Sequence, residues 1–459
     1  MNKKILILLL IFFGLPFKAV AIPTIEHWET SDQTPIYFIQ SNSVPMVEIK
    51  LLFNAGSAYD GASFGLAALT NAFFAEGAGN LTAQAIAENF DEIGAQFDVE
   101  VDKSTASINL LTLTDPVKLS SALSLFNIVV SQLNFSESTF TRIKNQQLVA
   151  IKDREQQPNI IAKENFYQQL YNNTPYAHPV LGIEDSINAI TKQQVMQFYQ
   201  HFYTARNASI LIVGDISATQ AKTIAEEVIK GLPVGERQAL TIKAKPLTQG
   251  KLINIHFPAN QTYWWLGNLS VDNLSSDSFA LIVANQIIGG SGLTSLLAES
   301  VREQHSLTYD ISSELVPVFG LQPFIIVLQS KNNTAAQAVL LTKKILANFI
   351  TEGPTSLQLE QAKKFLIGNF YISFASNREL MASLTFLVKY HYPLNYLSTY
   401  AQNINDVSIK HVRQVLEQYL NPEIFLLVSV GNPDLVTNNK KASSTLLPIP
   451  TVINELNNQ

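Results

Sequence analysis

The sequence predicts an α+β protein of two similar domains related by internal duplication. Two observations carry this. The apolar run Ser209-Ile-Leu-Ile-Val213, closed by Gly214-Asp215, is echoed by Glu423-Ile-Phe-Leu-Leu-Val-Ser-Val430, closed by Gly431-Asn432. The two runs lie about 217 residues apart, which means paired domains and not a solenoid of short repeats. The order of strand and helix patterns leading up to the first run also recurs ahead of the second.

Taken in order, residues Thr24 to Gln40 are extended, and Val47 to Phe53 is a strand. Gly65 to Phe74 is helical, and Thr82 to Ile93 is a second helix capped by Thr82. Phe97 to Val101 and Ser104 to Thr112 pair as antiparallel strands. Helical patterns cover Lys118 to Leu133 and Ser136 to Arg154, and Tyr171 to Gly182 is a turn-rich loop. A helix over Thr191 to Tyr203 precedes the first apolar run, and another begins at Ser217. In the second half, Ile253 to Phe257 and Thr262 to Asn268 are strands and Ser276 to Ile288 is helical. Pro323 to Gln329 is a strand, and helices follow at Thr334 to Glu352 and Ser356 to Phe374. These patterns divide the chain into an N-terminal domain at 22–235, a linker at 236–250, a C-terminal domain at 251–436 and a loose tail at 437–459. The hinge falls in Gly231 to Gly250, which carries Pro233, Gly235 and Pro246.

Residues 1–21 read as a cleavable signal peptide. Lys3 and Lys4 precede the apolar run Ile5 to Phe13, and Ala19-Val20-Ala21 supplies small residues for cleavage. That run is shorter than the roughly 20 residues a bilayer requires, and no later segment spans one. The expected location is the bacterial periplasm. With no cysteine in 459 residues, the exported chain relies on its cores and not on disulfides. The formal charge is −6, moving to about −9 without the leader, and this excludes a nucleic-acid binder. Charged residues make up 15% of the chain, against roughly 25% in an ordinary domain. Much of the surface must therefore be hidden, either between the halves or against a partner.

Three kinds of chemistry find little support. The seven histidines lie too far apart for a helical zinc pair, and His178, flanked by Pro179, reads as a structural hydrogen-bonding residue. Gly61-Ala62-Ser63-Phe64-Gly65 matches G-x-S-x-G, but a loop and not a strand precedes it, so Ser63 is not on a nucleophile elbow. No phosphate-binding loop or dinucleotide fingerprint is present.

The stretch Gly289 to Ser313, GGSGLTSLLAESVREQHSLTYDISS, is more informative. Its glycines allow close backbone approach. Leu293, Leu296, Leu297 and Val301 share a helical face, Arg302 closes the helix, and Leu307, Tyr309 and Ile311 alternate as in a strand. A guanidinium fork and a phenol can together hold a peptide carbonyl or a carboxylate. Equally, Arg302 can pair with Glu299 or Glu303 on a solvated face while Tyr309 packs.

This stretch resembles the second-half signature of the M16 (pitrilysin/insulinase-type) peptidases: a glycine cluster, a Leu-bearing helix, R-E, then G-L-x-Y-x-x-x-S. Ser306 stands where the pattern has glycine. Phe64 to Gly77, YAHPVLG and the strand ending in Gly214-Asp215 are similar to the first-half signature. The resemblance implies two similar M16-type domains, each mainly antiparallel sheet with helices packed on it. It also implies where zinc would sit, because active members carry H-x-x-E-H on the first-half helix. Here those positions are Ala68, Asn71 and Ala72, and the later glutamate ligand falls near Val149 or Ala150, where Ile143 to Ile151 has no carboxylate. A metal without ligands is not held. The expectation is a chain that binds no zinc and does not cleave peptides by itself. The resemblance further implies a heterodimer in which an H-x-x-E-H-bearing partner supplies zinc, while Arg302 and Tyr309 orient the peptide substrate. The alternatives are an M16-fold structural or assembly protein and a peptide-binding protein without a catalytic partner.

Overall fold

The computed structural model describes residues 22–290 and 292–432. The expected signal peptide and the tail at 437–459 lie outside the described residues. The first half contributes β1 (Glu26–Glu29), β2 (Pro35–Gln40), β3 (Met46–Phe53), a small hairpin of β4 (Gly77–Ala78) and β5 (Leu81–Thr82), then β6 (Gln96–Val101), β7 (Ala106–Leu113) and β8 (Ala208–Gly214). Apart from the hairpin these form a six-stranded sheet in the order β1-β2-β8-β3-β7-β6. The second half contributes β9 (Lys251–His256), β10 (Gln261–Asp272), β11 (Asp310–Leu315), β12 (Leu321–Lys331) and β13 (Leu426–Gly431), in the order β11-β12-β10-β13-β9.

The two orders superimpose: β2, β8, β3, β7 and β6 correspond to β9, β13, β10, β12 and β11. Each sheet has one parallel pair, β2 with β8 and β9 with β13, and is otherwise antiparallel. Two α+β units of identical strand order are the duplication expected from the repeated apolar runs, which form β8 and β13. All seven residues of β8 are buried, because it is covered on both faces and therefore reads as a continuous apolar run.

Polar caps fix most helix starts. Thr82, Ser136, Thr191, Ser217 and Thr355 each accept a backbone N–H from the first turn, and Asp115 does so ahead of Pro116. The Asp102 carboxylate accepts the N–H groups of Ser104 and Thr105, which delays β7 to Ala106.

The halves interlock by exchanging helices. The helix Pro158–Leu170 belongs to the first half in sequence, yet packs on β10 and β13. There Ala162, Phe166 and Leu170 meet Leu426, Val428 and Val430. Conversely, the helix Asn377–Lys389 packs on β3 and β8, setting Leu380, Leu384 and Leu387 against Ile39, Leu52, Leu211 and Val213. Each sheet is thus roofed by a helix from the other half, which accounts for the small charged fraction. Neither helix is among the elements the hydrophobic pattern predicts.

The segment read as the link between the halves is tied to both of them. Gln238 donates its N–H to the Asn207 side chain and accepts from Asn54. Leu247 exchanges two hydrogen bonds with Asn268, and Leu240, Ile242 and Leu247 pack into the cluster between the sheets. Among the described residues no helix is long and apolar enough to cross a membrane.

Candidate functional site

The helix Leu66–Ala72 carries the positions that the resemblance sets against H-x-x-E-H. Asp60 holds the start of this helix, accepting the N–H groups of Gly65 at 2.6 Å and Ala67 at 2.7 Å. Gly65 has a φ of 93°, and a Cβ there would lie 2.5 Å from the Leu181 carbonyl oxygen. Gly182 is equally confined against Phe64, so FGLAAL and YAHPVLG lock together through two glycines. Gln147, on the helix Glu137–Arg154, bridges them by donating to the carbonyls of Gly65 and Leu181.

On this frame Ala68 and Asn71 are buried, while Ala72 and Ala150 are half-buried. Asn71 accepts a hydrogen bond from the Tyr203 hydroxyl at 3.2 Å. The helices bearing these positions pack against each other, and the positions offer three methyl groups and one amide that is engaged with Tyr203. That set does not fit zinc. Among the described residues no group of three or more His, Asp or Glu could hold a metal ion.

Ser63 lies in the turn before this helix and accepts a hydrogen bond from the Gln194 amide, 3.1 Å away. It has no histidine partner among the described residues. His178 stacks on Phe64 at 4.3 Å between ring centres and lies 3.1 Å from the Pro179 carbonyl oxygen through Nδ1, a structural role.

Burial pushes the Asp60 carboxyl up to about 7, against the pull of its two N–H donors and of Lys103. Its proton is therefore held more tightly in the folded state than in the unfolded one. The associated stability is present at low pH and lost as pH rises from about 4 to about 7. The slope from this one proton is at most about 1.4 kcal/mol per pH unit. His178, whose Nδ1 lies 3.9 Å from Asp60, works in the opposite sense, because burial lowers its pKa. Denaturant titrations from pH 5 to 7.5 should show Asp60→Asn losing less stability than wild type over that range. Parallel curves would refute this.

The second half places Arg302 and Tyr309 differently from the simple helix–strand reading. The backbone forms a 3₁₀ turn at Gly292–Thr294 and a π-helical turn at Ala298–Gln304, and β11 begins only at Asp310. Leu297 and Val301 are buried, but Leu293 is exposed, so the predicted four-leucine face is incomplete. The alternation also fails at its centre: Leu307 and Ile311 are buried, whereas Tyr309 is 62% exposed. Gly289 does approach a neighbour closely, since a Cβ there would meet the Ser313 backbone nitrogen at 2.4 Å.

Arg302 is 41% exposed, with Nε 3.3 Å from a Glu303 carboxylate oxygen. This is the solvated pairing anticipated from sequence. Among the described residues the Tyr309 hydroxyl has no hydrogen-bond partner, and no bond joins either residue to the first-half motif.

Between them Ser306 has a φ of 53°, and Ser306 and Leu307 fold back to donate to the carbonyls of Arg302 and Val301. The left-handed conformation explains the glycine of the family pattern and costs a non-glycine residue about 1–2 kcal/mol. Glycine loses about 0.5–1 kcal/mol of that gain in backbone entropy. Ser306→Gly should therefore stabilise the chain by up to about 1 kcal/mol in denaturant unfolding. A measurable loss would contradict the strain.

Comparison with known proteins supports the assignment made on these motifs. The family model for insulinase (peptidase family M16) matches residues 36–184, and that for the peptidase M16 inactive domain matches residues 189–366. The chain belongs to peptidase family M16. By hydrogen bonding β8 completes the first sheet, although it falls within the second match.

A crystal structure of a peptidase M16 inactive domain from Pseudomonas fluorescens is 33% identical, with a TM-score of 0.84 over 89% of this chain and 98% of that one. A Helicobacter pylori relative described as non-peptidase homolog YmxG is 26% identical over 94% of this chain and 100% of its own length. A Bacillus subtilis relative described as uncharacterized zinc protease YmxG is 23% identical over 78% of this chain and 86% of its own length.

Proposed function

We propose that this chain is the non-catalytic, substrate-orienting subunit of a heteromeric M16-type zinc metallopeptidase. It acts on peptides or small unfolded proteins in the periplasm, with zinc supplied by an H-x-x-E-H-bearing partner chain. The observation that carries the reading is a contrast between the halves. The first keeps the scaffold of the metal site but fills it with Ala68, Asn71, Ala72 and Ala150. The second presents Arg302 and Tyr309 to solvent, with the phenol unengaged. The non-peptidase description of the H. pylori relative and the inactive-domain match point the same way.

In the complex, Arg302 and Tyr309 donate hydrogen bonds to the substrate backbone and to the carbonyl oxygen on which charge develops. Neither residue moves a proton or holds a metal. Reconstitution tests this. Combined with an M16 chain carrying H-x-x-E-H, the pair should bind zinc and cleave peptides, while this chain alone does neither. A partner whose turnover is the same with and without this chain would leave only a structural or peptide-binding role.

A further inference from the structure

A cavity of about 470 Å³ lies where the two halves meet, apart from both Arg302 and Tyr309 and the degenerate zinc motif. Its walls come from the β6–β7 turn, the helix Pro158–Leu170 and the loop at 176–180 in the first half. Residues 316–318 and 389–390 close it from the second.

Four cations surround it, Lys103, Arg154, Lys163 and Lys389, against two carboxylates. Both carboxylates are engaged, Asp102 with Lys389 and Glu164 with Arg154. Lys103 donates to neutral acceptors, the carbonyls of Tyr176 and His178, each at 2.8 Å. An ammonium has three protons to donate, so one remains. Lys163 stands exposed at the rim. Among the described residues no carboxylate lies within 4.0 Å of either lysine nitrogen. Burial first, then Lys163 and Arg154, bring Lys103 down to about 8, against the pull of Asp102 and Asp60.

The remaining wall is apolar, with Tyr167 and the run Val316-Pro317-Val318 facing the charged side. Inorganic phosphate would leave that wall bare and most of the volume empty. A ligand matching both sides carries one carboxylate and one compact apolar group, and a peptide end has both.

We propose that this cavity binds the C-terminal carboxylate of a short peptide whose last residue is apolar. The carboxylate lies against Lys103 and Lys163, and the terminal side chain against Tyr167 and Val316 to Val318. Both halves contribute walls, so the bound peptide bridges them. The proposal needs neither the partner chain nor Arg302 and Tyr309, and it is tested on this chain alone.

The probes for isothermal titration are Ala-Ala-Phe as free acid, the same peptide amidated at its C-terminus, octanoate and inorganic phosphate. The free acid should bind with a dissociation constant on the order of 10–100 μM and raise the melting temperature with the logarithm of its concentration once that exceeds the dissociation constant. The amide should bind about tenfold or more weakly, as loss of a charge-assisted contact does. Lys163→Met should weaken the free acid about fivefold or more, and Lys163→Glu further. Lys163 is exposed, so neither variant threatens folding, whereas Lys103→Met removes two structural hydrogen bonds and serves only as a supporting variant. Equal binding of acid and amide, tighter binding of octanoate or phosphate than of the peptide, or indifference to both Lys163 variants would overturn the proposal.

Discussion

Arg302→Ala should lower kcat of the reconstituted complex by about 10²–10³-fold while leaving it assembled and zinc-loaded. That is the usual effect of deleting one preorganised donor at a developing oxyanion, about 3–4 kcal/mol. The alternative role is equally definite. The contact with Glu303 is an exposed pair, and such pairs contribute about 1 kcal/mol or less to stability. If pairing is all Arg302 does, turnover survives its loss. Tyr309→Phe removes one hydroxyl and keeps the ring. Because Tyr309 is 62% exposed, its loss of turnover reads hydrogen bonding and not packing. Unchanged kcat in both variants, with normal assembly, rejects the in-trans role. Melting curves measured alongside separate an unfolded subunit from a disarmed one.

Phe166→Ala should destabilise the protein by about 3–5 kcal/mol and Leu384→Ala by about 2–5 kcal/mol, as buried large-to-small substitutions do. Both side chains are fully buried. What distinguishes them is where the damage appears. Phe166 lies in the first half but packs on the second sheet, its ring centre 5.8 Å from that of Trp265. Phe166→Ala should therefore raise amide hydrogen exchange in β10 and β13, and Leu384→Ala should raise it in β3 and β8. If each substitution loosened only the half that contains it, the halves would be independent and the exchange of helices energetically idle.

The strands were legible because their burial is simple. β8 is covered on both faces and spells a continuous apolar run, and β3 alternates. The helix starts were legible where a hydroxyl capped them, as at Thr82, Ser136 and Thr191. The exchanged helices were harder. Aromatic and polar residues interleave along Pro158–Leu170, and its start is marked by Pro158 with no side-chain cap. Asn377–Lys389 did carry a signal, Ser376 capping the Glu379 N–H, in the Ser-x-x-Glu spacing. No sequence pattern, however, says that a helix will roof the other half.

The site divides in the same way. The loss of ligands at Ala68, Asn71, Ala72 and Ala150 is a matter of residue identity and needs no coordinates. The exposed Tyr309 and the left-handed Ser306 lie just past a π-helical turn, whose i→i+5 bonding departs from the 3.6-residue pattern read in the sequence. The interdomain cavity gathers Lys103, Lys163 and Lys389 from distant stretches of chain, and no local window contains them together.

The exchange of helices also bears on how the chain is made. When a ribosome has completed β8 at Gly214, every strand of the first sheet exists, but the helix that covers Ile39, Leu52, Leu211 and Val213 begins only at Asn377. Until that helix docks, the first half displays an unroofed apolar sheet face. The first sheet cannot complete its core before the second half is present, and a chain truncated before residue 377 would leave that apolar face open to solvent.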